Sequence, residues 1–367
     1  MNSVPELPVL DRVILAHGGG GELMARLIRR HLLGPLRNDA LAALTDGAVL
    51  PPIDGELVFT TDSYVVTPIE FPGGDIGRLA VAGTVNDLAV MGATPLALSL
   101  GLILEEGLPL ATLDRIVATI ARTAAEAGVH VVTGDTKVIE HRATGGLPAS
   151  SGSARPAHEG LGVPPLADGQ MFINTAGVGR RRPGLRLGVD RVTPGDVVLV
   201  NGTLADHGLA VLSVRAGIAF ESPLRSDAAP LAGLIGRVLD AGVDVKFMRD
   251  ATRGGLAGVL CDVSEGAGVT IEVEERRLPV TPTARHAAEL LGLDPLTVAN
   301  EGKCVFVVAH QHVDQALRVL RDHPLGREAS RIGEVTAAQP PLVELLTPAG
   351  GRRVVQRPYG EDLPRIC

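Results

Sequence analysis

The sequence has no tryptophan, two tyrosines and six phenylalanines in 367 residues. Aromatic platforms on which single-stranded bases stack are therefore largely missing. A net charge of -8 also gives a polyanion little to bind, so nucleic acid is excluded as a partner. Cysteine is scarce too: Cys261, Cys304 and Cys367 stand far apart without CxxC spacing. That excludes a zinc cluster and a disulfide framework, and points to a reduced, cytoplasmic chain. Long apolar runs are absent as well. The first thirty residues carry Asp11, Arg12 and Glu22 where a secretion signal needs an unbroken apolar stretch. The longest uncharged stretch, Leu88 to Leu104, is broken by Gly92, Pro95 and Gly101. It reads as a helix end followed by a buried strand, not as a membrane span.

What is present is a core of Ala, Leu and Val within a hydrophobic fraction of 45%. At roughly 150 residues per domain the length implies two domains. Short runs rich in Val, Ile and Leu alternate with longer amphipathic segments, which predicts an α/β or α+β architecture. Leu113, Ile116, Val117 and Ile120 fall on one stripe of a predicted helix over 111–127, and Gly128 stands at its C-terminal cap position. Between Ala143 and Gly169 periodicity is lost in favour of Gly, Pro, Ser and Ala, which marks a surface insertion and the domain boundary. The expected division is 1–165, 166–340 and a terminal strand with a mobile tail over 341–367. In the second half, strands are expected at 196–200, 269–273 and 304–308, and helices at 206–217, 231–241 and 254–266.

Several patterns carry chemistry. The chain ends on Cys367, after glycine, proline and charged residues that disfavour permanent packing, so its thiol is placed to be carried between sites. His17-Gly18-Gly19-Gly20-Gly21 precedes a helical pattern and frees backbone amides for an anion, although the run fits neither GxGxxG nor a P-loop. Asp62, Asp135 and Asp250 follow predicted strands, Asp87 lies beside Asn86 in a helix, and Asp46 follows Leu44-Thr45. Any one of these aspartates alone serves equally as a helix cap or turn residue. Together, oxygen ligands converging from rigid elements suit Mg2+ held between carboxylates and phosphates. Lys137, two residues beyond Asp135, offers an ammonium to a phosphate, as Thr252, Arg253, Gly254 and Gly255 offer a hydroxyl, a guanidinium and amides. Glu301, just before an apolar strand, suits a general base if buried.

In this order, His17 to Gly21, Thr61-Asp62-Ser63-Tyr64, Phe71 to Gly77, Gly83 to Leu88, Gly134 to Val138, Met248 to Leu256, Gly292 to Leu296, Asn300-Glu301-Gly302 and the terminal Pro364-Arg365-Ile366-Cys367 resemble the HypE family of hydrogenase maturation proteins, within the superfamily of aminoimidazole ribonucleotide synthetase (PurM). The resemblance spans nearly the whole chain, and the terminal motif is its most specific part. It implies a two-domain PurM-like fold, with an N-terminal mixed sheet able to pair across a homodimer and a C-terminal α/β domain. The implied activity is ATP-dependent dehydration of a carbamoyl group on the terminal cysteine, which makes the cyanide donor for nickel-iron hydrogenase. The implied partners are a HypF-type carbamoyltransferase and the HypC and HypD complex. On that resemblance Gly18, Gly19, Gly20, Gly21, Asp62, Asn86, Asp87, Thr133, Gly134 and Asp135 contact ATP. Asp46, Asp62, Asp87, Asp135 and Asp250 hold Mg2+, Lys137 stabilises transferred charge, and Cys367 presents the carbamoyl group. Glu301 accepts the proton, with Lys137 or His207 as rivals. About twenty extra residues between Lys137 and Met171 depart from the family pattern. A selenophosphate synthetase is disfavoured because no cysteine precedes Cys261, while a thiamine phosphate kinase and a non-catalytic assembly scaffold stay as alternatives.

Overall fold

The computed structural model describes residues 11–19, 21–42, 44–140, 169–218 and 224–358. Cys367, Gly20 and nearly all of the 143–169 segment lie outside the described residues.

In the first domain α1 (Glu22–Leu27), α2 (Leu33–Leu36) and α3 (Asp39–Ala42) lead into β1 (Leu57–Tyr64) and a short hairpin of β2 (Glu70–Phe71) and β3 (Gly74–Asp75). There follow α4 (Ile76–Val90), β4 (Ala93–Glu105), α5 (Leu110–Ala127), β5 (His130–Ile139) and β6 (Met171–Arg181). The four-stranded sheet has the order β1-β6-β4-β5. Only β4 and β5 are parallel, as their connection through α5 requires. The stripe of α5 is buried, and Gly128 ends the helix in the left-handed conformation. Every residue of α4 except Arg78 and Asp87 is buried. A helix apolar on all sides must be covered on all sides: the sheet and α5 cover one flank, while Ala89 and Val90 join the core of the second domain.

The second domain contains β7 (Val197–Val200), α6 (Asp206–Arg215), α7 (Ala232–Asp240), β8 (Val245–Asp250), α8 (Gly255–Ala267), β9 (Thr270–Glu274) and α9 (Pro282–Leu291). It continues with β10 (Cys304–Val308), α10 (Val313–Arg321), β11 (Ser330–Thr336), β12 (Val343–Leu346) and β13 (Arg352–Val355). Its seven strands have the order β13-β12-β9-β11-β7-β10-β8. The unbroken apolar runs of β7 and β10 are buried along their whole length, as strands covered on both faces are. One face packs Val198, Val200, Val305 and Val307 against α8. The other packs Leu199, Phe306 and Val308 against α7 and α10.

Two expected boundaries are corrected. The first domain does not end at residue 165, because β6 pairs with both β1 and β4 and so supplies the inner strand of that sheet. The second domain does not end at 340, because β12 pairs with β9 and carries β13 with it.

Candidate active site

Alternation along β1 turns Thr60, Asp62 and Tyr64 toward α4. Thr60 Oγ1 donates to Asp87 Oδ2 at 2.8 Å, and Tyr64 Oη lies 3.4 Å from Thr84 Oγ1. Across the domain junction, Asp250 ends β8 and the turn through Thr252 and Arg253 opens α8. Glu301 approaches from the segment before β10 and is 3% exposed. Asp62, Tyr64, Asp87, Asp250, Thr252, Arg253 and Glu301 line one interdomain cleft of about 640 Å3. Its floor depends on a glycine: a Cβ at Gly83 would stand 2.2 Å from the Tyr64 hydroxyl.

Arg249, Arg253 and Arg357 also line the cleft, but at Asp87 and Asp250 burial outweighs the arginines. Burial, and then the Asp87 carboxylate, push the Asp250 carboxyl up to about 6. Burial also raises Asp87, with Asp62 adding to the effect and the Thr60 hydrogen bond opposing it. Burial, followed by Asp62, raises the Tyr64 phenol well above its usual range, so it is a neutral donor. Arg253 comes only within 4.0 Å of Asp62 and is mostly exposed.

Glu301 is held from behind. Its amide donates to Asp227 Oδ1 at 3.2 Å, while Gly302 N and Lys303 Nζ donate to Asp227 Oδ2 at 3.0 and 2.9 Å. Burial alone would raise the Asp227 carboxyl, but Lys303, and then His207, override it and hold it below its usual value.

The site residues expected from sequence fall into two groups. Asp62, Asp87, Asp250 and Glu301 share the cleft. Thr133, Gly134, Asp135 and Lys137 lie on β5, at the opposite edge of the sheet from β1. Two strands intervene, so roughly 14 Å separates the edges within one chain. Asp135 and Lys137 pair with each other at 2.8 Å and are 67% and 66% exposed. The glycine run joins this second group: Gly18 packs on Val138, where an added Cβ would lie 3.1 Å from that side chain. Asp46 is exposed between α3 and β1 and does not line the cleft.

Asn86, expected among the ATP contacts, is engaged at the domain junction in this structure. One residue from Asp87, it points about 100° away around the helix. Its Nδ2 donates to the carbonyls of Ala229 and Glu301, and its Oδ1 accepts from Leu231 N. Its role is to join the domains. His207 is fully buried, with Nδ1 2.8 Å from Ser226 Oγ and its ring edge-on to Phe71, and it does not line the cleft. Sequence reasoning missed Thr60 and Asp227. Thr60 is legible as the inward neighbour of Asp62 in an alternating strand, whereas nothing in the sequence around Asp227 reveals that it grips the Glu301 segment.

Among the described residues no three His, Cys, Asp or Glu side chains gather closely enough to hold a metal by themselves. Two carboxylates raised by burial instead suit a hard cation whose remaining ligands come from phosphate and water. No helix among the described residues is long and apolar enough to cross a membrane.

Residues 44–154 match the N-terminal domain, and residues 193–343 the C-terminal domain, of AIR synthase related proteins. The carbamoyl dehydratase HypE of Azotobacter vinelandii is 45% identical over 97% of each chain. A crystal structure of hydrogenase maturation protein HypE in complex with ATP superposes with a TM-score of 0.85 at 40% identity, covering 96% of this chain and 99% of that one. The structure of a HypE-HypF complex matches with a TM-score of 0.73 at 40% identity, over 92% of this chain and all of the matched chain. With both domains present and this identity sustained from end to end, the chain belongs to the HypE family of carbamoyl dehydratases.

Proposed function

We propose that the protein uses ATP to dehydrate a carbamoyl group carried on the Cys367 thiol, converting an S-carboxamide into an S-cyanide for the iron of nickel-iron hydrogenase. The observation that carries this reading is the cleft of Asp62, Asp87, Asp250 and Glu301 in a chain of this family. The chain leaves Pro358 at the rim of that cleft, nine residues before Cys367. Nine residues reach at most about 30 Å, enough to deliver the thiol inside.

The carboxamide oxygen is a poor leaving group, and phosphorylation by ATP makes it a good one. Loss of phosphate and of the remaining N–H proton then gives the nitrile. Glu301 is the proposed proton acceptor, a buried carboxylate whose backbone is anchored by Asp227. Asp62, Asp87 and Asp250 would hold Mg2+ together with phosphate oxygens. That ion would offset the phosphate charge when bound. Gly18 to Gly21, Thr133, Gly134 and Asp135 are the proposed contacts to the nucleotide, and Lys137 the cation beside the transferred group; because two strands separate β5 from β1, a second copy of the chain is the proposed donor of this set to the cleft. Exclusion of water from the filled cleft limits wasteful hydrolysis of ATP.

Leu57, Phe59, Ile103 and Ile139 are exposed on the outward face of the four-stranded sheet, Phe59 by 68%. Exposed apolar residues at both ends of one sheet face are a feature of interfaces, and a second copy of the chain is the proposed occupant. The HypE-HypF complex supports a HypF-type carbamoyltransferase as the source of the carbamoyl group. The HypC and HypD complex is the proposed acceptor, and the reducing cytoplasm the proposed setting.

Intact mass after incubation with the carbamoyltransferase, carbamoyl phosphate and MgATP tests the reading. The wild type is expected to gain a carbamoyl group and then lose one water, and Cys367→Ala to do neither. A wild type that never gains the group while the transferase is active would overturn it.

A further inference from the structure

The last described residues of the chain are tied to the cleft by charge. Beyond β13 the Arg357 guanidinium meets Asp262 Oδ1 at 2.6 Å and Glu265 Oε2 at 2.9 Å, both on α8. The second oxygen of Asp262 accepts from Arg249, the residue before Asp250. One turn apart on the same face of α8, Gly254, Gly258 and Asp262 line the cleft. A Cβ at Gly254 would meet Pro358 Cδ at 3.9 Å, an ordinary contact distance, so the chain passes close beside the start of α8. Cys261, also on α8, donates its S–H to the Val355 carbonyl at 3.7 Å. The end of β13 and the three residues beyond it therefore follow α8 toward the acids.

A lone exposed ion pair contributes little. Here one guanidinium spans two carboxylates, and one of those carboxylates is shared with a second arginine, so the contacts are geometrically coupled. Arg357 is 51% exposed, which fits an anchor on the surface better than a core contact. Pro358 stands nine residues before Cys367, so its position bears on the effective concentration of that thiol in the cleft.

We infer that Arg357 is a positioning residue: its clamp on Asp262 and Glu265 fixes the point from which the C-terminal segment enters the active cleft. The inference rests on the proposed dehydration at Cys367. It concerns delivery of the carbamoylated thiol and neither the phosphates nor the proton acceptor.

The test is a single-turnover time course of water loss from the pre-carbamoylated full-length protein, read by intact mass. Arg357→Glu sets a carboxylate against two others, and about a tenfold slowing at low salt is expected. Its rate of carbamoylation by the transferase and its ATP affinity should equal the wild type, because both are independent of tail entry. Adding Glu265→Arg should restore the rate to within about twofold, and high salt should narrow the gap between Arg357→Glu and the wild type. Water loss at the wild-type rate in Arg357→Glu overturns the inference. So does a joint fall in all three measurements, which would mean general damage, or a failure of Glu265→Arg to rescue. A wild type that is carbamoylated but never loses water instead sinks the dehydratase reading itself.

Discussion

Asp250 and Asp135 are both strand aspartates, and their carboxyls answer to the fold in opposite directions. In the interdomain cleft, burial and the neighbouring Asp87 lift Asp250 to about 6. On the open edge of the other sheet, a hydrogen bond from Lys137 is the main cause that lowers Asp135. The first carboxylate is held at a cost to the fold when ionised. The second already has its partner. Perturbed carboxyls of the first kind are more often found at functional sites than paired, exposed ones of the second.

A third aspartate makes the difference quantitative. Asp227 is as buried as Asp250, yet Lys303 at 2.9 Å reverses the effect of burial and holds its carboxyl low. Lys303→Met leaves that carboxylate buried without its cation and should cost about 3–5 kcal/mol at pH 8 in urea unfolding. The lowered group stabilises the fold above its unfolded value of 3.8 and loses this contribution as pH falls through its folded value, so the penalty should shrink in acid. A cost below about 1 kcal/mol would show that the pairing matters less than the geometry implies.

Asp250→Asn should act in the opposite sense on stability. A rise from 3.8 to about 6 corresponds to at most about 3 kcal/mol lost from the folded state once both states are ionised. Because the folded value is the higher one, this group favours the fold fully only below 3.8 and loses that contribution as pH rises through about 6. The variant is therefore expected to be more stable than the wild type at pH 8, by up to about 3 kcal/mol, while ATP-dependent water loss falls about 100-fold. A variant less stable than the wild type at pH 8 would mean that Asp250 is held by more than its environment's resistance to charge.

Glycines separate the same two regions. Gly83→Ala gains up to about 1 kcal/mol of helix propensity, but its Cβ would fall 2.2 Å from the Tyr64 hydroxyl inside a packed helix-sheet contact. Overpacking costs about 1–3 kcal/mol, so net destabilisation and a disturbed cleft are expected. Gly18→Ala, with Val138 at 3.1 Å in the loop against β5, should change the melting temperature less. An equal loss at both positions would remove the distinction between a packed floor and an adaptable loop.

The repeating core was legible because period and composition agree in it. The stripe of α5, the run of β10 and the break at Gly92 between α4 and β4 each follow from local pattern. The domain limits were not legible, because β6 lies beyond a long non-periodic stretch and joins the sheet through pairing, which leaves no local trace. Within the site, Asp62, Asp87 and Asp250 were recognisable as acids near element ends, but their company was not. Two intervening strands set Asp135 apart from them, and one residue's rotation about α4 turned Asn86 into the domain junction. Strand order and helical phase relative to another domain are tertiary quantities.

The smallest effect is expected at the exposed pair. Asp135→Asn removes a hydrogen bond to Lys137 between side chains that are both about two-thirds exposed, so solvent screening limits the stability cost to roughly 0–1 kcal/mol at pH 8. A lowered carboxyl contributes above its unfolded value of 3.8 and loses that contribution as pH falls through its folded value, so wild type and variant should unfold alike at pH 2. Salt at about 1 M should erase the difference at pH 8 as well. If Lys137 steadies transferred phosphate in turnover, Lys137→Met should slow water loss while leaving the melting temperature within about a degree of the wild type, since no buried group loses a partner. A melting temperature that falls as far as in Lys303→Met would place β5's edge in a protein-covered environment, and would make the second copy of the chain, seated on the outward face of that sheet, part of the stability of each subunit.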